Sequence, residues 1–263
     1  MITNNPHFFC HNSLSLSRLW HCFGNYNHSI DRDTVLQMIA VSGTNALPIN
    51  THRLNKTAGR DGLSIGFGPV RYDDVCDEPS VLAMTKMLNI NHQTTANAAV
   101  DRTQHAFSLL PEPVVKLEVL NEDLRTSNTP DLIKAVATLK HILPELVVMP
   151  LLSCDTVAAK ELVDLGCPVL RIMGSAIGSG AGIHNRDEFA EICALDIPVI
   201  LDGGIGSVTH LKEAIASGAS GGLVNSMLFA DDSGPVQMLR NFMYDLGDTL
   251  LHCHPVQQAS VRR

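Results

Sequence analysis

Paired cysteines, an excess of basic residues and long apolar runs are all missing from this chain. Its seven cysteines (Cys10, Cys22, Cys76, Cys154, Cys167, Cys193 and Cys253) are scattered, odd in number and without a Cys-x-x-Cys pair. Neither a disulfide framework nor a zinc module is indicated, and a reducing, cytoplasmic setting is expected. A formal net charge of -8 argues against a nucleic-acid partner, which needs basic groups to neutralise phosphates. No apolar run approaches the roughly 20 residues of a membrane span. Met1 to Ser13 lacks a basic region followed by an apolar core, so neither export nor insertion is expected. The early strands also lack Gly-x-Gly-x-x-Gly with an acid about 20 residues on, which weighs against a doubly wound dinucleotide fold.

What is present is ample core material, with 45% hydrophobic and 17% charged residues in a chain of 263. From residue 80 the pattern becomes regular. Val81 to Leu88 reads as helical, Asn89 to Asn91 as a strand end, and Thr95 to Leu109 as helical. A strand follows at Val114 to Leu120, then a helix at Thr129 to Ile142, with Pro130 in its first turn. The strands Leu146 to Pro150, Val169 to Met173, Pro198 to Leu201 and Gly222 to Asn225 then alternate with helices from Asp155, Asn185, Ser207 and Gly234. Such alternation means βαβ units and a parallel sheet. A single-domain α/β protein, a (β/α)8 TIM barrel, is the expected fold. Residues 1–14 read as a loosely held terminus, 15–251 as the barrel and 252–263 as a tail; Asn55 to Pro69 reads as a glycine-rich polar loop, and the segment Asn55 to Pro79 carries no readable role.

Within Val114-Val115-Lys116-Leu117-Glu118-Val119-Leu120, Lys116 and Glu118 share one strand face while Val115, Leu117 and Val119 share the other. In a sheet buried on both faces, two such charges must pair, reach solvent at the strand end or do chemistry. A desolvated lysine is easier to deprotonate, and its free amine forms a Schiff base with a carbonyl; the plainer reading is a structural ion pair. Three later strand ends are rich in glycine or small polar residues: Gly174 to Gly180, Asp202-Gly203-Gly204-Ile205-Gly206 and Asn225-Ser226. Barrels bind phosphate on such loops, although glycines also simply make tight turns. Asp202 ends a strand, and position alone leaves it open between an acid–base group and a turn residue. Asp155 reads as a helix cap and Cys154 as an inert thiol. The His252-Cys253-His254 run has no further ligand at suitable spacing, so no metal or other cofactor is expected.

Lys116-Leu117-Glu118, the Gly166-Cys167 turn, Gly174 to Ile183, Asp202 to Gly206 and Leu223-Val224-Asn225-Ser226 together resemble thiazole synthase, the (β/α)8 enzyme of thiamine biosynthesis. The resemblance implies a lysine imine with 1-deoxy-D-xylulose 5-phosphate, sulfur from a thiocarboxylate on a ubiquitin-like sulfur carrier protein, and dehydroglycine to complete the ring. Carried over, Lys116 forms the imine, Glu118 and Asp202 shuttle protons, and Gly174, Gly203, Gly204, Asn225 and Ser226 hold the sugar phosphate. It implies a homotetramer as well. The likeness is strong over about residues 112–250 and weaker before. Cys22-Phe23-Gly24-Asn25-Tyr26 stands where the family has Gly-Thr-Gly-Lys-Tyr, Ala176 replaces a loop proline, and Ile90 to Thr94 replaces Pro-Asn-Thr-Ser/Ala-Gly. A class I aldolase-like enzyme on another phosphorylated ketose and a non-catalytic phosphosugar-binding barrel are the competing readings.

Overall fold

The computed structural model describes residues 7–11, 14–24, 28, 30–55 and 57–252. A hairpin of β1 (Phe8–His11) and β2 (Leu14–Ser17) leads into β3 (Leu19–Trp20), α1 (Arg32–Ser42), β4 (Ala46–Asn50), a short β5 (Ser64–Ile65) and α2 (Pro79–Leu82). Regular alternation follows through β6 (Thr85–Gln93), α3 (Ala96–Leu109), β7 (Val114–Val119), α4 (Thr129–Ile142), β8 (Val147–Ser153) and α5 (Thr156–Asp164). It continues through β9 (Leu170–Met173), α6 (Arg186–Cys193), β10 (Val199–Asp202), α7 (Val208–Ala216), β11 (Gly221–Leu223) and α8 (Pro235–Leu246). Side-chain caps set several helix starts: Asp31, Thr95, Asn128, Asp155 and Asn185 each accept a hydrogen bond from a first-turn backbone N–H.

The strands pair in the order β3-β11-β10-β9-β8-β7-β6-β4-β5, parallel throughout except for antiparallel β5. Pairing of the last strand, β11, with the first, β3, is what a barrel requires and an open sheet does not have. The expected (β/α)8 barrel is the observed fold. Its ladder is open between β3 and β4, where side chains bridge the seam: the Ser17 N–H donates to Asn45 Oδ1 at 2.7 Å, and Asn45 Nδ2 donates to the Ser15 carbonyl at 3.0 Å.

Period-two alternation decides what faces the lumen. On β7 the residues Val115, Leu117 and Val119 join the core between barrel and helices, whereas Val114 belongs to a separate interior cluster with Met87, Met149, Val169, Ile200 and Trp20. That interior cluster also contains Phe9 and Leu16, so the β1–β2 hairpin plugs the barrel's N-terminal end. The sequence shows no period there. Four-residue strands rest on pairing and packing rather than on propensity, which is why residues 8–11 look unstructured when read alone.

Two other differences have physical causes. Val81 to Leu88 is not one helix: α2 ends at Leu82 and β6 begins at Thr85. A strand buried on both faces is continuously apolar, and short apolar runs do not separate helix from strand by period. The loop of residues 55–79 contributes β5, and Gly66 lies so close to the segment after β3 that a Cβ there would stand 1.9 Å from the Phe23 carbonyl oxygen.

Gly221 makes the barrel's closure possible, because a Cβ at this position would stand 2.0 Å from the Arg18 carbonyl oxygen, which also accepts the Gly222 N–H at 2.9 Å. Gly221→Ala is expected to cost about 1–3 kcal/mol by overpacking. An unchanged urea midpoint would show that the β3–β11 junction adapts freely.

Candidate active site

The unusual side chains converge at the C-terminal end of the barrel, around a cavity of about 480 Å³. Lys116 is 2% exposed, and its Nζ lies 3.3 Å from Glu118 Oε1 and 3.6 Å from Asp202 Oδ2. The expected face-sharing of Lys116 and Glu118 on β7 is what lets them meet. Asp202 arrives from β10, three strands along the sheet.

Arg171 organises this group, and sequence reading missed it. It is fully buried in mid-β9; its Nε donates to Asp202 Oδ2 at 2.7 Å and one terminal nitrogen donates to Glu118 Oε1 at 2.9 Å. The other terminal nitrogen lies 3.4 Å from the carbonyl oxygens of Leu117 and Met149. Two cations and two carboxylates thus form a charge-balanced quartet in the lumen. An arginine within Leu170-Arg171-Ile172 is the same signal as a lysine within Val115-Lys116-Leu117, a charge embedded in an apolar strand.

Burial pushes the Lys116 pKa down, as does the Arg171 guanidinium, whereas Asp202, Cys22 and Glu118 push it up, and the result lies above the ordinary lysine value. Desolvation, which would ease deprotonation of this lysine, is thus opposed by the negative groups around it. Burial pushes Asp202 up, yet Arg171 and Lys116 overcome this and hold its carboxyl below the usual range. Cys22 and Asn89 complete the surroundings of Lys116, at 3.7 and 3.5 Å from its Nζ. Burial pushes the Cys22 thiol pKa up, with the Lys116 charge pulling against it.

Gly203, Gly204, Asn225 and Ser226 all line the cavity. Gly204 has φ +90, and a Cβ there would meet Ser175 Oγ at 2.3 Å, so backbone approaches where no side chain fits. The Asn225 carboxamide is engaged at both ends with the backbone of Gly24, Nδ2 donating to the carbonyl at 3.0 Å and Oδ1 accepting from the N–H at 3.4 Å. It ties the last barrel loop to the first. Gly174 does not line the cavity; it packs under the loop, where a Cβ would stand 2.7 Å from the Gly182 carbonyl oxygen. Cys154 donates to the Asn185 carbonyl at 3.8 Å, and burial pushes its thiol up to about 12. Cys253 and His254 lie outside the described residues.

The family model for thiazole biosynthesis protein ThiG matches residues 17–249. This chain belongs to the ThiG family. Among similar ThiG-type proteins, thiazole synthase of Yersinia pestis is 30% identical over 212 residues, covering 80% of this chain and 73% of the relative. Thiazole synthase of Shewanella frigidimarina is 28% identical over 222 residues, covering 84% and 75%. The fold is similar to that of Amycolatopsis orientalis BexX, solved in complex with CysO, at TM-score 0.76 and 23% identity, with 92% of this chain and 93% of that one covered. Thiamine phosphate pyrophosphorylase from Pyrococcus furiosus is a more distant likeness, at TM-score 0.54 and 15% identity, over 87% and 96%.

Arg171→Met is expected to destabilise this ThiG family member by about 3–5 kcal/mol near pH 7, because it leaves carboxylates buried with one cation. The sign with pH follows from Asp202. Its lowered folded pKa contributes stability that is present above the unfolded value of about 3.9 and lost as pH falls through the folded value. Without Arg171, burial raises that carboxyl, so the variant should lose stability as pH rises. Denaturation from about pH 4 to 8 should show the gap to wild type widening with pH; a pH-independent gap would contradict the electrostatic assignment.

Proposed function

We propose that the protein is a thiazole synthase, an enzyme of thiamine biosynthesis that builds the thiazole phosphate through an imine on Lys116. The observation that carries this reading is Lys116 buried between Glu118 and Asp202 at the cavity that Gly203, Gly204 and Ser226 also line. Membership of the ThiG family supports it.

The substrates follow the family: 1-deoxy-D-xylulose 5-phosphate, dehydroglycine, and sulfur from a thiocarboxylate on a ubiquitin-like sulfur carrier protein. A protein of this fold assembles with CysO, which is in keeping with a protein partner. Lys116 rests as an ammonium, so imine formation begins with transfer of its proton to a carboxylate, Glu118 at 3.3 Å or Asp202 at 3.6 Å. The free amine then attacks the ketone carbon, and water leaves as the imine forms. Once Lys116 is bonded to the sugar it cannot move protons, so carbonyl migration and loss of water fall to the same two carboxylates. The sugar phosphate is assigned to the backbone of the Gly203-Gly204 and Asn225-Ser226 turns.

Borohydride treatment with deoxyxylulose phosphate should add the sugar mass at Lys116, and Lys116→Arg should abolish the adduct because guanidinium stays protonated. Glu118→Gln and Asp202→Asn should still trap the sugar yet lower thiazole formation by about 10²–10⁴-fold. Thiazole formed only when the carrier thiocarboxylate is supplied separates a synthase from an aldolase-like enzyme. Trapping at another lysine, or normal turnover by either folded carboxylate variant, would refute the assigned roles.

A further inference from the structure

A second polar feature of the cavity wall is not used by the chemistry above. Along β6, Ile90 pairs with Leu117 and Gln93 with Val119, so Asn91 and His92 both stand opposite Glu118 alone. This is a β-bulge, the irregularity that re-aims side chains next to active sites. His92 absorbs it with φ +60, a left-handed conformation costly for a residue with a Cβ. Its ring packs against Phe67 at 5.6 Å between centroids, and Phe67 in turn against His52 at 4.9 Å. The Asn91 carbonyl accepts from Gln93 Nε2 at 2.8 Å. Backbone strain is thus held in place from both sides.

The result of the bulge is that Asn91 and His92, adjacent in sequence, both line the cavity. In a regular strand they would face opposite ways. Asn91 is 2% exposed, and neither its Oδ1 nor its Nδ2 has a hydrogen-bond partner among the described residues. Asn89, two residues earlier, is different: its Nδ2 donates to Asn50 Oδ1, and its Oδ1 faces Lys116 Nζ. A buried carboxamide with both ends unspent costs stability unless a ligand completes it. One donor and one acceptor, side by side, match two neighbouring hydroxyls, one accepting and the other donating.

We propose that Asn91 is a substrate-binding residue that reads a pair of vicinal hydroxyls on the sugar chain held at Lys116, and that the Asn91–His92 bulge is the device that aims it. The proposal rests on the Lys116 imine reading. It makes Asn91 a determinant of which phosphorylated ketose is accepted, separate from the groups that move protons.

The test compares borohydride-trapping efficiency at Lys116 for deoxyxylulose phosphate and for its analogue lacking the C4 hydroxyl, using wild type, Asn91→Leu and Asn91→Ala. Wild type should favour the hydroxylated sugar by about 10–100-fold, since the analogue leaves a buried polar group unpaired. Both variants should trap the two sugars with nearly equal efficiency, because the reader of the hydroxyl is gone. A merely structural Asn91 would slow both sugars together and keep the preference. A folded variant that retains the wild-type preference therefore overturns this proposal alone, whereas wild type that traps neither sugar at Lys116 overturns the imine reading and this proposal with it.

Discussion

The pairing of Arg171 with two carboxylates is the interaction on which the rest of the site depends. An isolated charge inside a barrel would neutralise itself or destabilise the fold. Here one guanidinium, itself fully buried, donates to both Glu118 and Asp202 at 2.9 and 2.7 Å, and it holds the Asp202 carboxyl below the usual range. A planar fork does this where an ammonium cannot, since it spans two acceptors at a fixed spacing. Lys116 then completes the balance. The consequence is that burial, which favours a neutral lysine, is opposed by the carboxylates beside it.

Barrel geometry supplies the rest. The four charged groups come from three strands, Lys116 and Glu118 from β7, Arg171 from β9 and Asp202 from β10, and alternation along β7 leaves Val115, Leu117 and Val119 to pack against the helices while Lys116 and Glu118 face inward. Below the quartet, a closed apolar layer with Trp20, Met87 and Met149 is plugged by Phe9 and Leu16, which gives the charges a dry floor. Above it, glycine turns bring backbone rather than side chains to the cavity. A site of this kind holds its charges on strands and leaves the cavity above them lined by backbone.

Much of this was legible in the sequence, and what was not has identifiable causes. The barrel followed from the alternation after residue 80, and Lys116 and Glu118 from charges inside a β-branched strand. Arg171 carried the same signal but lay beside the glycine-rich loop that drew the attention. The Asn91–His92 bulge has no signature in one strand, because register is a property of a pair. Phe67 reaches the cavity from a loop whose composition says only that it is a loop, and the 8–17 hairpin is held by contacts with the barrel rather than by its own pattern. The close approach of the Gly182 carbonyl oxygen to Gly174, within 2.7 Å of where a Cβ would stand, is likewise a property of the folded loop and not of the sequence around it.

The central claim is that Lys116 rests protonated within a neutral four-charge cluster. NMR titration of protein carrying ¹³Cε-labelled lysine, with the Lys116 signal assigned by its loss in Lys116→Arg, measures this directly. The account predicts that the signal keeps its ammonium shift past the ordinary lysine pKa of about 10.4. A midpoint at or below about pH 8.5 would contradict it, because burial would then outweigh the carboxylates and the lysine would be a pre-formed amine.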